Sequence, residues 1–327
     1  MKILVTGGCG FIGSAFIKKA LGRGYTVMNL DALTYAADIS INKTFQLNQD
    51  YIFRHVNIVD RNSVGKNIND FGPDVIAHFA AESHVDNSII NASIFIKTNI
   101  EGTYNLLSES LNYWEKNNRN QNFRFLHVST DEVYGSLGKV GKFVESSPYL
   151  PNNPYSATKA SSDLIVRSWN QTYDFPSIIS NSCNNYGPRQ NLEKLIPKII
   201  ERGIKKKTIE LYGNGSNIRD WLHVDDHVDA LNVLIERAPA GSKFNVGGGQ
   251  ERSNIDVARL ICNALDHKFP DQAPHYNLVK FVPDRPGHDF RYAVDGKAMT
   301  KNFNWKPKIG FCDGLRDTID WYAEILN

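Results

Sequence analysis

Lys2-Ile3-Leu4-Val5-Thr6-Gly7-Gly8-Cys9-Gly10-Phe11-Ile12-Gly13 is the stretch on which the fold turns. A short β-branched and apolar run stops at a cluster of glycines, and residues 11–21 then carry apolar side chains at helical spacing. Strand, glycine turn and helix in that order bring backbone N–H groups and the positive end of a helix to one point. Such a point suits a pyrophosphate, with Gly7, Gly10 and Gly13 leaving room for it. A second strand, residues 26–30, is closed by Asp31. A carboxylate there can bond both hydroxyls of a ribose and repel a 2′-phosphate, which favours NAD over NADP. The same residue could also simply form a turn at the strand end.

Outward from this motif, strands are expected at residues 51–56, 75–79, 123–129 and 177–180, with long helices at 92–114 and 155–173. Strands alternating with helices predict a parallel sheet covered on both faces. The run Val75-Ile76-Ala77-His78-Phe79 is apolar almost throughout, as a strand buried on both sides requires. After about residue 185 short strands (209–212, 243–246, 279–282) mix with helices (193–201, 225–235, 255–265, 313–326). The expected architecture is therefore α/β, a Rossmann-type doubly wound parallel sheet with a smaller C-terminal α+β substrate lobe. The division is placed at residues 1–185 and 186–327, with some exchange of chain between the two.

The chain has 327 residues, 41% of them hydrophobic, enough for a large core. A net charge of +2 is too mild to argue for nucleic acid, and the Lys205-Lys206-Lys207 run reads as a solvated helix end. Cys9, Cys183, Cys262 and Cys312 are far apart and show no zinc spacing, so no metal is expected and a reduced, cytoplasmic protein is the simplest reading. No apolar stretch approaches the roughly 20 residues that span a bilayer.

Two further stretches carry chemistry. Tyr155 and Lys159 are four residues apart and share one face of a helix that Pro154 starts. A lysine cation beside a phenol is expected to lower its pKa and make it a base near neutrality. Thr130-Asp131-Glu132 follows the fifth strand, at the carboxyl edge where open α/β sheets bind ligands. Adjacent carboxylates can be driven apart in pKa, giving one acid and one base. A loop cap would also explain Asp131.

With these residues in hand the chain resembles the extended short-chain dehydrogenase/reductases, and among them the dTDP-glucose 4,6-dehydratases. The similarity runs nearly end to end, through TGGCGFIGS (6–14), LDALTY (30–35), HFAAESHVD (78–86), TDEVYG (130–135), PYSATKASSD (154–163), NNYGP (184–188), EKLIP (193–197), RDWLHVDDH (219–227) and DRPGHD (284–289). Sugar-nucleotide epimerases of the same family carry small hydroxyl residues where Asp131 and Glu132 stand.

The resemblance implies NAD, tightly bound and regenerated at each turnover. It also implies a nucleotide-sugar substrate and a homodimer built on the helices at 92–114 and 155–173. The implied reaction is oxidation at C4, loss of water across C5 and C6, and hydride return to C6. Another 4,6-dehydratase acting on UDP-glucose, or a 4-epimerase, is the alternative. The implied catalytic set is Thr130, Asp131, Glu132, Tyr155 and Lys159. Cofactor positions are Gly7, Gly10, Phe11, Ile12, Gly13, Asp31, Ala32, Leu33, Thr34, Asn57, Ile58, Ala80, Ala81, Ser83, Thr98, Tyr155, Lys159 and Asn185. Substrate positions are Ser83, Thr130, Asn184, Lys194, Leu195, Glu210, Tyr212, Arg219, Asn254, Arg285 and His288. The chain departs from the family pattern at Cys9, at Asn57 (usually Asp), at Cys183 (usually Ser) and at 189–192.

Overall fold

The computed structural model describes residues 1–326. The chain divides into two compact units, each built from three alternating segments: 1–133, 153–181 and 228–244 in the first, 134–152, 182–227 and 245–327 in the second.

The first unit opens β1 (Lys2–Thr6), α1 (Phe11–Gly22), β2 (Thr26–Asp31), α2 (Ile39–Phe45), β3 (Tyr51–His55), α3 (Arg61–Phe71) and β4 (Val75–His78). It continues with α4 (Val85–Ile90), α5 (Ser93–Phe95), a π-helical segment Ile96–Gly102, α6 (Thr103–Lys116), β5 (Arg124–Thr130), α7 (Pro154–Tyr173) and β6 (Ser177–Ser182). Strands β1–β6 are the apolar runs read from the sequence, with ends displaced by a residue or two. Leu4, Ile76 and Phe125 have no exposed surface and pack in one cluster with Leu106, Trp114 and Phe175. Full burial of each large side chain contributes about 1.5–3 kcal/mol.

The second unit begins with β7 (Asn184–Tyr186), α8 (Leu195–Ile204), β8 (Ile209–Tyr212) and β9 (Ile218–His223). Helix α9 (Val224–Arg237) and strand β10 (Lys243–Val246) then carry most of segment 228–244 into the first unit. The chain finishes with β11 (Glu251–Ser253), α10 (Asn254–Lys268), β12 (Val279–Val282), α11 (Lys297–Phe303) and α12 (Phe311–Leu326). A three-stranded sheet, β11-β9-β7, and a parallel pair, β12-β8, lie in this unit. Its core gathers Ile199, Ile200, Leu211, Trp221, Ile261, Leu265, Phe311 and Tyr322.

The main sheet runs β10-β6-β5-β4-β1-β2-β3, with β1 parallel to both β2 and β4. Strand order reverses between β1 and β4, so the crevice at their carboxyl ends is where a doubly wound sheet takes a ligand. Two expectations are corrected here. Strand 243–246 does not pair within the smaller lobe: β10 is an edge strand of the main sheet, with the Ile179 amide donating to the Ser242 carbonyl. Helix α9 docks on α1 through Lys19–Asp229 (2.7 Å) and an Arg23–Glu236 ion pair. Nor is 92–114 one regular α-helix. The α-helical ladder gives way to π geometry over Ile96–Gly102 before α6 resumes. At Gly102 the helix meets Ile58 so closely that a Cβ would lie 2.6 Å from its side chain, which would have to shift for any larger residue.

No helix among the described residues is long and apolar enough to cross a membrane.

Candidate active site

The glycine turn sits between β1 and α1. Gly7 has φ +72, and a Cβ on Gly13 would lie 2.3 Å from the Gly7 carbonyl oxygen. Both positions therefore demand glycine. The N-cap of α1 is Gly10, which offers no side-chain cap, so the first amides of α1 keep donor capacity for an anion. Asp31 closes β2 beside this turn: its carboxylate accepts from the amides of Cys9 (2.8 Å) and Leu33 (2.8 Å). Leu33 has φ +50, a left-handed conformation that the Asp31 bond holds in place. Ala32 accepts from His55 Nε2 at 3.1 Å, and Thr34 accepts from the Ala37 amide, so 31–34 is a bonded loop. Asn57 turns its side-chain oxygen to the Val59 amide (2.9 Å), while Ile58 is buried against Gly102. The Ala80 amide donates to Thr6 Oγ1 at 3.3 Å, which brings Ala80 and Ala81 to the end of β1. Thr98 lies in the π-helical segment, and Ser83 follows Glu82, which Asn99 brackets through its amide and carbonyl.

Helix α7 positions the tyrosine and lysine. Asn153 caps it in a reciprocal box with Ser156, Pro154 occupies the first turn, and Ser88 Oγ accepts the Tyr155 amide at 3.2 Å. Lys159 is buried and its ammonium donates to the Val128 carbonyl on β5 at 3.0 Å. Desolvation brings that amine down to about 8, against the pull of Asp163, which raises it. The phenol of Tyr155 is pushed up, first by burial and then by the charges of Glu132 and Asp131, with a Thr130 hydrogen bond opposing. The sequence expectation that Lys159 lowers this phenol is thus corrected for the protein alone: burial and then the two carboxylates raise it, and the ammonium donates to the Val128 carbonyl.

Asp131 is buried and Glu132 half-buried in a single 3₁₀ turn, Asp131–Tyr134, that follows β5. Thr130 Oγ1 donates to Asp131 Oδ1 at 3.4 Å and accepts the Glu132 amide at 3.3 Å. Two adjacent acids in unequal environments, with a tyrosine in electrostatic reach of both, can divide the roles of proton donor and acceptor.

Sequence reasoning missed the polar layer beneath this group. Thr6 Oγ1 bonds His78 Nδ1 (2.7 Å), and His78 Nε2 meets Thr103 Oγ1 (2.9 Å). His127 Nε2 bonds Asp163 Oδ1 (3.1 Å), and Asn181 Nδ2 donates to Asp163 Oδ2 (2.9 Å) and to the Thr130 carbonyl (3.1 Å). The available signal was a lone histidine in each of two apolar strands and an acid one helical turn after Lys159.

The second unit holds the remaining positions. Asn185 Oδ1 bonds His227 Nδ1 at 2.8 Å, and its amide donates to the Cys183 carbonyl at 2.9 Å. Burial takes the His227 imidazole down to about 3, so it is neutral. Asn184 opens β7, Lys194 is the N-cap of α8 just before Leu195, and Asn254 starts α10. Tyr212 stands edge-on to His288 at 6.0 Å, and His288 Nδ1 bonds Asp284 at 2.6 Å. Burial and then the charges of Arg285 and Arg219 hold His288 below its usual range, against its Asp284 bond. These three basic groups therefore form one cluster. Arg219 also donates to the carbonyls of Ile218 and Asp289 and lies 4.3 Å over the Tyr292 ring. Glu210 faces Lys198 (3.9 Å) and Arg202 (3.8 Å), an exposed setting that does not join it to that cluster.

A family model described as GDP-mannose 4,6 dehydratase matches residues 4–318. The dTDP-glucose 4,6-dehydratase of Xanthomonas campestris is 46% identical over 323 residues, covering 98% of this chain and 92% of that protein. Among solved structures, the dTDP-glucose 4,6-dehydratase of Streptomyces venezuelae, crystallised with NAD bound, superposes with a TM-score of 0.91 at 39% identity, covering 99% of this chain and 97% of that one. The UDP-glucose 4-epimerase of Thermus thermophilus, also with NAD, reaches 0.87 at 27% identity, with 99% of each chain covered. The fold is common to dehydratase and epimerase, but the stronger identity falls on the side that the paired acids after β5 had already favoured: the chain belongs to the dTDP-glucose 4,6-dehydratase family of extended short-chain dehydrogenase/reductases.

Proposed function

We propose that the protein converts dTDP-glucose to dTDP-4-keto-6-deoxyglucose with the loss of one water. The observation that carries this is the Thr130-Asp131-Glu132 turn directly after β5, with the Tyr155 phenol bonded to Thr130 and within reach of both acids. An epimerase needs only the tyrosine and lysine; an elimination needs the two acids as well.

The chain's own residues fit NAD: a glycine turn with no room for a Cβ, an α1 terminus without a side-chain cap, and a carboxylate at the end of β2. Bound NAD supplies the hydride acceptor for C4 and the hydride donor for C6. Tyr155 takes the proton from O4 as C4 is oxidised, with Lys159 as the cation behind it. The resulting ketone acidifies C5–H, which Glu132 removes. Asp131 protonates the C6 hydroxyl as it leaves as water. Glu132 returns its proton to C5 when hydride reaches C6, and a proton passing from Tyr155 to Asp131 resets both. Positioned acid–base groups of this kind contribute about 10²–10⁴ each. In the second unit, Arg219, Arg285 and His288 suit a diphosphate, because guanidinium forks match phosphate oxygens. Tyr212 and Leu195 suit a pyrimidine base.

The protein works as a homodimer in the cytoplasm. Tyr104 on α6 and Leu164 and Tyr173 on α7 expose apolar surface, as do Ile90 at the end of α4, Ile94 in α5 and Ile96 at the start of the π-helical segment, and Tyr104 and Tyr173 flank Trp169. Exposed apolar area of this extent marks an association surface. Leu164→Glu should shift sedimentation from dimer to monomer.

The activity is tested by incubation with dTDP-glucose and with UDP-glucose, following the 4-keto product by mass. A dTDP preference of about tenfold is expected from one buried thymine methyl. Product with inverted C4 and no water loss would overturn the dehydratase reading.

A further inference from the structure

Lys159 and Asp163 are one turn apart on α7, both inside the protein, and the carboxylate is braced from two other elements. His127 of β5 holds one oxygen at 3.1 Å and Asn181 of β6 holds the other at 2.9 Å. The same Asn181 amide holds the Thr130 carbonyl at 3.1 Å, and Lys159 holds the Val128 carbonyl two residues earlier at 3.0 Å. Asp163 is thus tied, through one bridging residue, to the backbone that presents Thr130, Asp131 and Glu132.

We propose that Asp163 is a positioning residue for the reaction: its carboxylate is the buried counter-charge of Lys159, and through Asn181 it locks α7 to the end of β5, so that the Tyr155 and Thr130 sides of the site move as one body. The proposal rests on the roles given above to Tyr155 and Lys159.

A bare ammonium in this layer would be costly, because burial disfavours the charged form and no water is at hand to solvate it. The groups in electrostatic reach of the ammonium are His78 on β4, His127 on β5 and Asp163 on α7. The two histidines are held below their usual range, by burial first and then by neighbouring charge, and remain neutral. Asp163 itself is driven up by burial, yet His127, the Lys159 charge and a Ser129 hydrogen bond carry it below the usual carboxylate range. It stays ionised at working pH and is the negative group on which the lysine relies.

The test is Asp163→Asn, near-isosteric but neutral. Single-turnover formation of reduced cofactor from dTDP-glucose is followed across pH, together with the melting temperature. Loss of the counter-charge should let Lys159 deprotonate sooner. The alkaline limb of the rate should move acidward by about one pH unit or more, with the rate recovering toward wild type at the acid end. A folded variant whose rate falls equally at every pH, with the limb unmoved, overturns the proposal. If Asp163→Asn does not fold, the double variant Lys159→Met/Asp163→Asn decides. Restored melting supports a charge pair, and continued unfolding shows that Asp163 serves the fold independently of the lysine, which overturns it. Lys159→Met alone with wild-type hydride transfer would refute the role of Lys159 itself, and this proposal with it.

Discussion

Replacing Gly13 by alanine tests the cofactor site at its tightest point. The added Cβ would lie 2.3 Å from the Gly7 carbonyl oxygen, 0.7 Å inside the 3.0 Å that real Cβ atoms keep (3.0 − 2.3), and 2.9 Å from the Gly8 Cα. Both obstacles are backbone, so nothing flexible can swing aside. Overpacking of this kind costs about 3 kcal/mol, at the upper end of its usual range. Gly13 lies inside α1, so alanine returns about 1 kcal/mol of helix propensity. The net loss of about 2 kcal/mol corresponds to a fall of roughly 3 °C in Tm for a chain of this size. The same shift moves the turn amides by most of an ångström, which should weaken NAD by at least about tenfold. Gly22→Ala is the control, since a Cβ there meets nothing within 4 Å. It should melt no lower than wild type and bind NAD unchanged. Differential scanning fluorimetry and calorimetric titration with NAD measure both quantities. A Gly13→Ala protein that behaves like Gly22→Ala would refute the claim that this turn is shaped by close backbone contact.

Glu132→Gln should form reduced cofactor in a single turnover yet eliminate water about 10²–10⁴ more slowly, and wild-type turnover in D₂O should place one deuterium at C5. Should the variant lose hydride transfer instead, Glu132 is not the C5 base. Asp131→Asn should slow water loss with little change in Tm; equal losses of rate and stability would make Asp131 a loop cap. The lysine offers a pH signature. Its folded pKa, about 8, lies below the ordinary lysine value of 10.5, so the unfolded chain binds more protons between those two values. The penalty of burying the ammonium, about 3 kcal/mol, is complete below pH 8 and fades as pH rises to 10.5. The stability of wild type relative to Lys159→Met should therefore rise as pH climbs through this window. A Tm difference that is flat in pH would contradict the shift.

What the sequence revealed follows the reach of each signal. The β1-turn-α1 motif is local: Gly7 is called for by its own positive φ and Gly13 by the backbone of Gly7 and Gly8, so it could be read directly. Tyr155 and Lys159 share a helix face by spacing alone. The π segment at 96–102 could not be read from helical spacing, and its close contact at Gly102 is with Ile58, more than forty residues away. The sheet membership of β10 was equally hidden: Lys-Phe-Asn-Val is a strand by composition, but its neighbour is chosen by where α9 docks on Lys19 and Arg23. The ionisation of Tyr155 was misjudged because spacing shows that a lysine is near but not that the phenol is buried beside two carboxylates.

The return of residues 228–244 to the first unit has a consequence for how the protein is made. The main sheet cannot acquire its last strand until residue 244 has left the ribosome, long after β1–β6 have emerged. Until then β6 is a bare edge, ready to pair with any strand that passes. A gene cut at residue 185 would fix that condition permanently. Its product should be recovered as aggregate, whereas a split placed after residue 246, co-expressed with the remainder, leaves every strand of the sheet in one polypeptide.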